Sequence, residues 1–257
     1  MAQRALISAV LITKNAAGTL GACFESLAWC DEIVIVDSGS TDSTLDIAKA
    51  AGARVIQQDW LGYGRQKQLA VSKASKEWVL CVDADERVTD TLRASIESAL
   101  TAPQFDAYQF RRCNRFLRRW LRHGEGYPDW SLRLFDRRRA RWSEDPIHEK
   151  VVADGSVGRL DGDLLHESAE SIHVYLEKQN LYTTLQAEQA YRQGRRPSVV
   201  KMLFGPVVRF LKFYFLRLGF LDGVAGLVHI LIGCVNTFLK QAKLFALTRA
   251  GNIQSLD

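Results

Sequence analysis

Strand-like and helix-like patterns alternate strictly through the first hundred residues, and this alternation is the strongest constraint on the fold. Ser8–Thr13 is a short β-branched apolar run. Residues 17–29 carry Leu20, Phe24 and Leu27 at helical spacing. Glu32–Val36 is a second apolar run that ends at Asp37. The loop Ser38-Gly-Ser-Thr-Asp-Ser follows, with Ser40 or Thr41 expected to cap a helix and Asp42 in its first turn. Gly52 should stop that helix. Ala53–Gln57 predicts a third strand, Tyr63–Ala74 a helix, and Glu77–Val82 a fourth strand. Thr89 then caps a helix that reaches Leu100. Such alternation implies βαβ units, hence an α/β fold with a mostly parallel central sheet and helices on both faces. Ligands of these sheets bind beyond the carboxyl ends of the strands. Asp37 and Asp83 both fall there.

The pattern changes after residue 100. Phe105–Phe110, Ser131–Phe135 and Ile147–Val152 are short strand candidates between Arg-rich or Gly-containing loops. From Ser171 the spacing is helical until Gly194 and Pro197. The tail from Ser198 mixes aromatic and aliphatic side chains with Lys201, Arg209, Lys212 and Arg217, and Pro206 is expected to kink or break its helix. The charge-free run Gly223–Leu239 falls short of the ~20 residues that a spanning helix needs. This predicts a helical, amphipathic C-terminal region in peripheral contact with an anionic membrane. The competing reading is a helical subdomain that packs its apolar face on the core or in a dimer.

Charge narrows the partners. Lys plus Arg number 34 against 29 Asp plus Glu, a formal net charge of +5. The excess is uneven: Arg111 to Arg122 and Arg133 to Arg141 are dense clusters, suited to phosphate groups. No RRM, KH, helix-turn-helix or zinc signature accompanies them, so nucleic acid is not the expected partner. The five cysteines form no CxxC pair, and the N-terminal segment is strand-like, without signal-peptide architecture. A reduced, cytoplasmic protein is expected.

The chemistry centres on Asp83-Ala84-Asp85 after the fourth strand. In an extended chain, residues i and i+2 point the same way, so both carboxylates would face one divalent cation. Such a hard cation prefers oxygen ligands and keeps positions open for diphosphate oxygens.

The segments Val10-Leu-Ile-Thr-Lys-Asn15, Ile33-Val-Ile-Val-Asp37-Ser-Gly-Ser-Thr-Asp42 and Val82-Asp83-Ala-Asp85-Glu resemble family 2 glycosyltransferases. Three later segments narrow the resemblance: Tyr127-Pro-Asp-Trp-Ser-Leu-Arg133-Leu-Phe135, Asp145-Pro-Ile-His148-Glu149-Lys-Val, and Gly219-Phe-Leu-Asp222-Gly. They are similar to the bacterial branch that glucosylates the lipopolysaccharide inner core. The resemblance implies a GT-A fold, with a catalytic domain over 1–170, divided into a nucleotide-sugar half (1–100) and an acceptor half (101–170). Residues 171–257 would form the membrane-proximal helical region, on the cytoplasmic face of the inner membrane.

It also implies roles. Thr13 and Asn15 would lie near the nucleotide base, Asp37 would recognise uridine, Asp83 would sit by the ribose and diphosphate, and Asp85 would bind Mg²⁺ or Mn²⁺. His166 matches a late histidine that completes the metal or diphosphate site. The donor would be a UDP-sugar, most simply UDP-glucose, and the acceptor a heptose of the core. An inverting transfer needs a base for the acceptor hydroxyl. Glu144, Asp145, His148 and Glu149 are all candidates, with Glu149 favoured and Asp145 next. Arg112, Arg115, Arg133 and His148 would contact phosphates on the acceptor.

A basic nucleic-acid-binding protein is the non-enzyme alternative, and two other enzyme readings compete. A sugar-phosphate nucleotidyltransferase would open with a Gly-rich phosphate loop, whereas here Thr13-Lys-Asn-Ala-Ala follows the first strand, with only Gly18 nearby. A family member acting on a polyprenyl-phosphate acceptor is compatible with the apolar tail.

Overall fold

The computed structural model describes residues 4–144, 149–167 and 171–254. Asp145 and His148 lie outside the described residues. The chain forms two compact units: Met1–Cys113 with Asp129–Glu167, and Asn114–Pro128 with Ser168–Asp257. The segment Asn114–Pro128, which sequence places in the acceptor half, groups with the helical region.

The first unit alternates β1 (Ile7–Thr13), α1 (Ala17–Leu27), β2 (Glu32–Asp37), α2 (Thr44–Ala50), β3 (Arg54–Gln57), α3 (Tyr63–Lys73) and β4 (Trp78–Cys81). After β5 (Glu86–Val88) and α4 (Asp90–Thr101) come β6 (Ala107–Phe116), the short β7 (Arg119–Trp120), β8 (Asp129–Asp136), β9 (Ala140–Trp142), β10 (Val151–Ala153) and β11 (Val157–His166). The main sheet runs β3-β2-β1-β4-β8-β6-β11-β5, with β7 paired to β6. Its first four strands are parallel. Beyond β4 the β4–β8, β8–β6 and β11–β5 pairings are antiparallel, so the whole sheet is mixed. β9 and β10 form a separate antiparallel ribbon.

Strand alternation sorts the core into two faces. Ile7, Ala9, Leu11, Ile35 and Leu80 pack with Leu20, Phe24 and Leu27 of α1 and Leu92 and Ile96 of α4. Val10, Val34, Val36, Val79 and Cys81 point the other way, against Ala70 and Val71 of α3 and Trp142 of β9. Burial on both faces explains why these strands read as unbroken apolar runs. α2 starts later than expected, at Thr44. Asp42 accepts from Thr44 N at 3.0 Å and Ala17 N at 3.1 Å, and so ties the loop to α1 instead of serving inside a first turn.

In the second unit, Ser171 caps α5 (Ile172–Arg192) by accepting from Val174 N at 3.3 Å. α6 (Val199–Phe210) runs through Pro206 without breaking. One lost hydrogen bond is tolerated there because α6 packs closely on its neighbour: a Cβ on Gly205 would sit 3.0 Å from Thr237 Cγ2. The chain then passes through a π-helical stretch (Leu211–Leu216) and a 3-10 turn (Gly219–Asp222) into α7 (Gly223–Gln254). Buried Asp222 accepts from His123 N at 2.8 Å and Arg122 N at 3.0 Å, which fixes Asn114–Pro128 to the helices. The charge-free run is short, but its helix is not. Gly219–Ala250 is long and apolar enough to cross a membrane by length and composition, its most apolar 18-residue window having a mean hydropathy of 1.6.

One glycine limits how α4 docks on the sheet. Gly162 has φ +102, and a Cβ there would lie 2.3 Å from Leu92 N and 2.5 Å from Leu92 Cα. Neither backbone atom can give way, because Thr89 Oγ1 donates to Asp163 O at 2.9 Å just before. Gly162→Ala is expected to destabilise the first unit by about 2 kcal/mol or more in urea unfolding. A change under about 0.5 kcal/mol would contradict this packing.

Candidate active site

The parallel strands β1, β2 and β4 end at one edge, with Asp37 closing β2 and Asp83 two residues past β4. Thr13 and Asp37 are register partners at the ends of β1 and β2. Thr13 Oγ1 therefore donates to Asp37 Oδ2 at 2.8 Å. Gly39 N (3.0 Å) and Ser40 N (2.8 Å) donate to Oδ1, and Ser40 Oγ donates to Oδ2 at 2.5 Å. Burial alone would push the Asp37 carboxyl up. The Ser40, Thr13 and Gly39 hydrogen bonds outweigh it and hold the group below its ordinary value. Asn15, at φ 51, joins the same network: its N donates to Ser40 Oγ at 2.8 Å and its Oδ1 accepts from Thr41 N at 2.8 Å. Thr13, Asn15 and Asp37 are thus one connected shelf.

The Asp83-Ala84-Asp85 segment is a tight turn, not the extended run expected. Glu86 N donates to Asp83 O at 2.9 Å and closes it. Ala84 packs against the core, and the two carboxylates engage different partners. Asp83 Oδ1 lies 3.2 Å from Lys67 Nζ, and Oδ2 accepts from Arg133 Nη2 at 3.0 Å. Burial opposes the Asp83 charge, but Arg133 and Lys67 overcome it and hold its carboxyl far below the usual range. Asp85 Oδ2 lies 3.2 Å from His166 Nε2 of β11. Among the described residues, no three His, Cys, Asp or Glu side chains form a metal-binding group.

Glu149 sits on the same lysine as Asp83: Lys67 Nζ is 3.3 Å from Glu149 Oε1. Arg133 is committed to Asp83, lies 5.4 Å over the Trp142 ring, and has one buried Nη1 without an acceptor among the described residues. Lys67 Nζ also lies over that ring, 4.7 Å from its centroid. Arg112 points inward instead, with Nε 2.7 Å from Oε1 of fully buried Glu86. Burial, then Asp83, push the Glu86 carboxyl up, while Arg133 and Arg112 oppose the rise. Arg115 belongs to the second unit, with its guanidinium 5.6 Å over Trp120.

Lys67, Glu86 and Trp142 went unread in the sequence, and Ser40 was read only as a helix cap. Lys67 carried a signal. It falls on the buried stripe of α3 with Ala70, Val71 and Ala74, where a charged residue needs a partner. Its neighbour Gln66, fully buried, donates to Ser38 Oγ at 3.0 Å. One turn of α3 thus supports both the Asp37 loop and the Asp83 clamp.

The pattern of Glycosyl transferase family 2 matches residues 8–155, more than half of the chain. This chain belongs to glycosyl transferase family 2. The glycosyltransferase is 36% identical over 252 residues to the lipopolysaccharide core biosynthesis glycosyltransferase LpsC of Rhizobium meliloti, covering 93% of this chain and 92% of that one. It is 32% identical over 254 residues to an uncharacterized glycosyltransferase of Rickettsia prowazekii, covering 93% and 86%. Among solved structures it is similar to S. aureus TarS 1–349, at 16% identity and TM-score 0.47, over 96% and 92% of the two chains.

The Asp37 shelf has a pH signature. A carboxyl held low when folded contributes stability above its ordinary value of 3.8, and that stability is lost as pH falls through the folded value. Asp37→Asn is expected to lower stability at neutral pH. It should also flatten the loss between pH 5 and 2, by up to about 1.4 kcal/mol per pH unit. Urea unfolding across that range measures it; a parallel curve, merely offset, would contradict the assignment.

Proposed function

We propose that this glycosyltransferase is an inverting, metal-dependent hexosyltransferase that moves glucose from UDP-glucose onto a heptose of the lipopolysaccharide inner core. The carrying observation is the Lys67 bridge, which places a candidate base, Glu149, beside the Asp83 clamp at the carboxyl edge of the parallel strands. The LpsC relative supports the substrate class.

The Asp37 shelf with Thr13 and Asn15 would receive the uridine, because a carboxylate fixed by four donors presents a rigid acceptor edge. Arg133 and Lys67 would face the diphosphate, and the free Arg133 Nη1 leaves the clamp a donor for an added anion. Asp85 and His166 form a carboxylate and imidazole pair, a donor set that fits Mn²⁺ and, with more oxygen from the ligand, Mg²⁺. A divalent ion held there would neutralise the charge that grows on the leaving diphosphate. Glu149 would take the proton from the acceptor hydroxyl as its oxygen attacks the anomeric carbon. The bond from that carbon to the diphosphate oxygen breaks on the opposite face, so UDP leaves with the electron pair. Asp145 and His148 remain part of this proposal as second base and acceptor contact. Arg115, on the second unit, is proposed to meet acceptor phosphate; Arg112 is assigned to holding Glu86.

The second unit is proposed to rest on the cytoplasmic face of an anionic membrane, where a core acceptor is lipid-anchored. Its exposed Phe204, Val208 and Leu216 support this. They are equally compatible with a polyprenyl-phosphate acceptor, and acceptor assays separate the two.

Glu149→Gln is expected to lower kcat by roughly 10²-fold or more, with the donor KM nearly unchanged. Asp85→Ala should abolish metal-stimulated transfer while the thermal transition persists. A metal-supplemented screen of UDP-glucose, UDP-galactose and UDP-N-acetylhexosamines reads both. Full turnover by Glu149→Gln would move the base elsewhere; full turnover by Asp85→Ala would remove the metal site.

A further inference from the structure

Between Gln189 and Leu256 the chain carries ten Lys or Arg and a single carboxylate, Asp222. That carboxylate is buried and engaged by the Arg122 and His123 backbone. Some of the cations in this stretch are satisfied within the unit. Arg209 Nε donates to Glu125 Oε2 at 3.0 Å, and Lys243 Nζ is surrounded by oxygens of Asn180, Thr183 and Thr184 at 2.7 to 2.9 Å. Arg195, Arg196, Lys201 and Lys240 are not. They line one cavity of about 440 Å³, with Gln241 and Leu244. Among the described residues no carboxylate forms an ion pair with any of the four, nor does any acid line the cavity.

Three segments of the second unit build this cavity. The chain after α5 supplies Arg195 and Arg196, the first turn of α6 supplies Lys201, and α7 supplies Lys240. Four like charges drawn around one concavity repel one another and favour a multiply charged anion inside it. Its size suits a small charged headgroup. The rim indicates where that anion comes from. Val200, Leu203, Phe204 and Val207 of α6, on either side of Lys201, are each more than half exposed. A soluble phosphate would gain nothing from that apolar face. A bilayer offers both chemistries at adjacent depths: phosphate in the headgroup layer and hydrocarbon below it.

We propose that this cavity seats the phosphate of an anionic phospholipid, with α6 lying in the interface and its exposed side chains among the acyl chains. The inference rests on the membrane-docked reading above and assigns it a specific site.

The test is vesicle co-sedimentation of the full chain, with phosphatidylcholine alone and with phosphatidylcholine containing phosphatidic acid. Lys201→Gln/Lys240→Gln is compared with Arg192→Gln/Arg249→Gln, which removes the same charge from the same unit outside the cavity. Wild type is expected to bind the anionic vesicles. The cavity variant should bind roughly tenfold more weakly and the control variant less than threefold more weakly, with matching circular dichroism and unchanged donor hydrolysis. Equal weakening in both variants would overturn the cavity and leave only diffuse charge. Displacement of the vesicles by millimolar inorganic phosphate, or by RNA, would overturn the lipid source. No binding of wild type to any vesicle would instead sink the membrane-docked reading itself.

Discussion

The structure depends on one carboxylate held between two cations. Asp83, two residues past β4, meets Lys67 through one carboxylate oxygen and Arg133 through the other, and both cations lie over the Trp142 ring. Exposed pairs elsewhere, such as Arg93 and Glu97 at 47% and 36% side-chain exposure, contribute only about 0 to 1 kcal/mol. The clamp differs because its members are largely withdrawn from water. There, removing one partner leaves a charge without compensation, at about 3 to 5 kcal/mol. Lys67, Arg133 and Arg112 pair with Asp83, Glu86 and Glu149, and Arg112 also reaches Asp129 at 3.8 Å. The strongest effect of this network is positional: α3, β4, β8 and the chain before β10 must all converge for the charges to meet.

That convergence also orders the neighbouring shelf. Gln66 and Lys67 are consecutive, so a shift of α3 that disturbed the clamp would disturb the Ser38 contact beneath Asp37. The shelf and the clamp are therefore mechanically one. A buried polar network of this kind is stiff only when every member is satisfied. Asp37, with four donors, meets that condition.

Much of this was legible in the sequence, for identifiable reasons. Strands buried on both faces leave continuous apolar runs, so β1 to β4 and the helices between them could be placed within a residue or two. Asp37 and Asp83 followed from those strand ends. Local chemistry misled where a side chain served a distant partner. Ser40 looked like a helix cap but donates to Asp37. The acids around Ala84 looked extended, yet the Asp83 O to Glu86 N bond folds them into a turn. Lys67 announced a buried partner without naming it, and Glu86 sits on a three-residue strand too short to show a pattern. Beyond residue 100 the antiparallel strands are set by cross-sheet pairing rather than by local alternation, which hid the full length of β6 and the grouping of Asn114–Pro128 with the helices.

The proposed reaction requires the donor's diphosphate to lodge against the Asp83 clamp, with a divalent ion beside it on Asp85 and His166. Calorimetric titration of UDP into the intact chain, with Mn²⁺ and again with a chelator, tests this most directly. Binding with Mn²⁺ is expected to be at least about tenfold tighter than without, a coupling of about 1.4 kcal/mol or more. Equal affinity under both conditions, or no UDP binding in either, would contradict it.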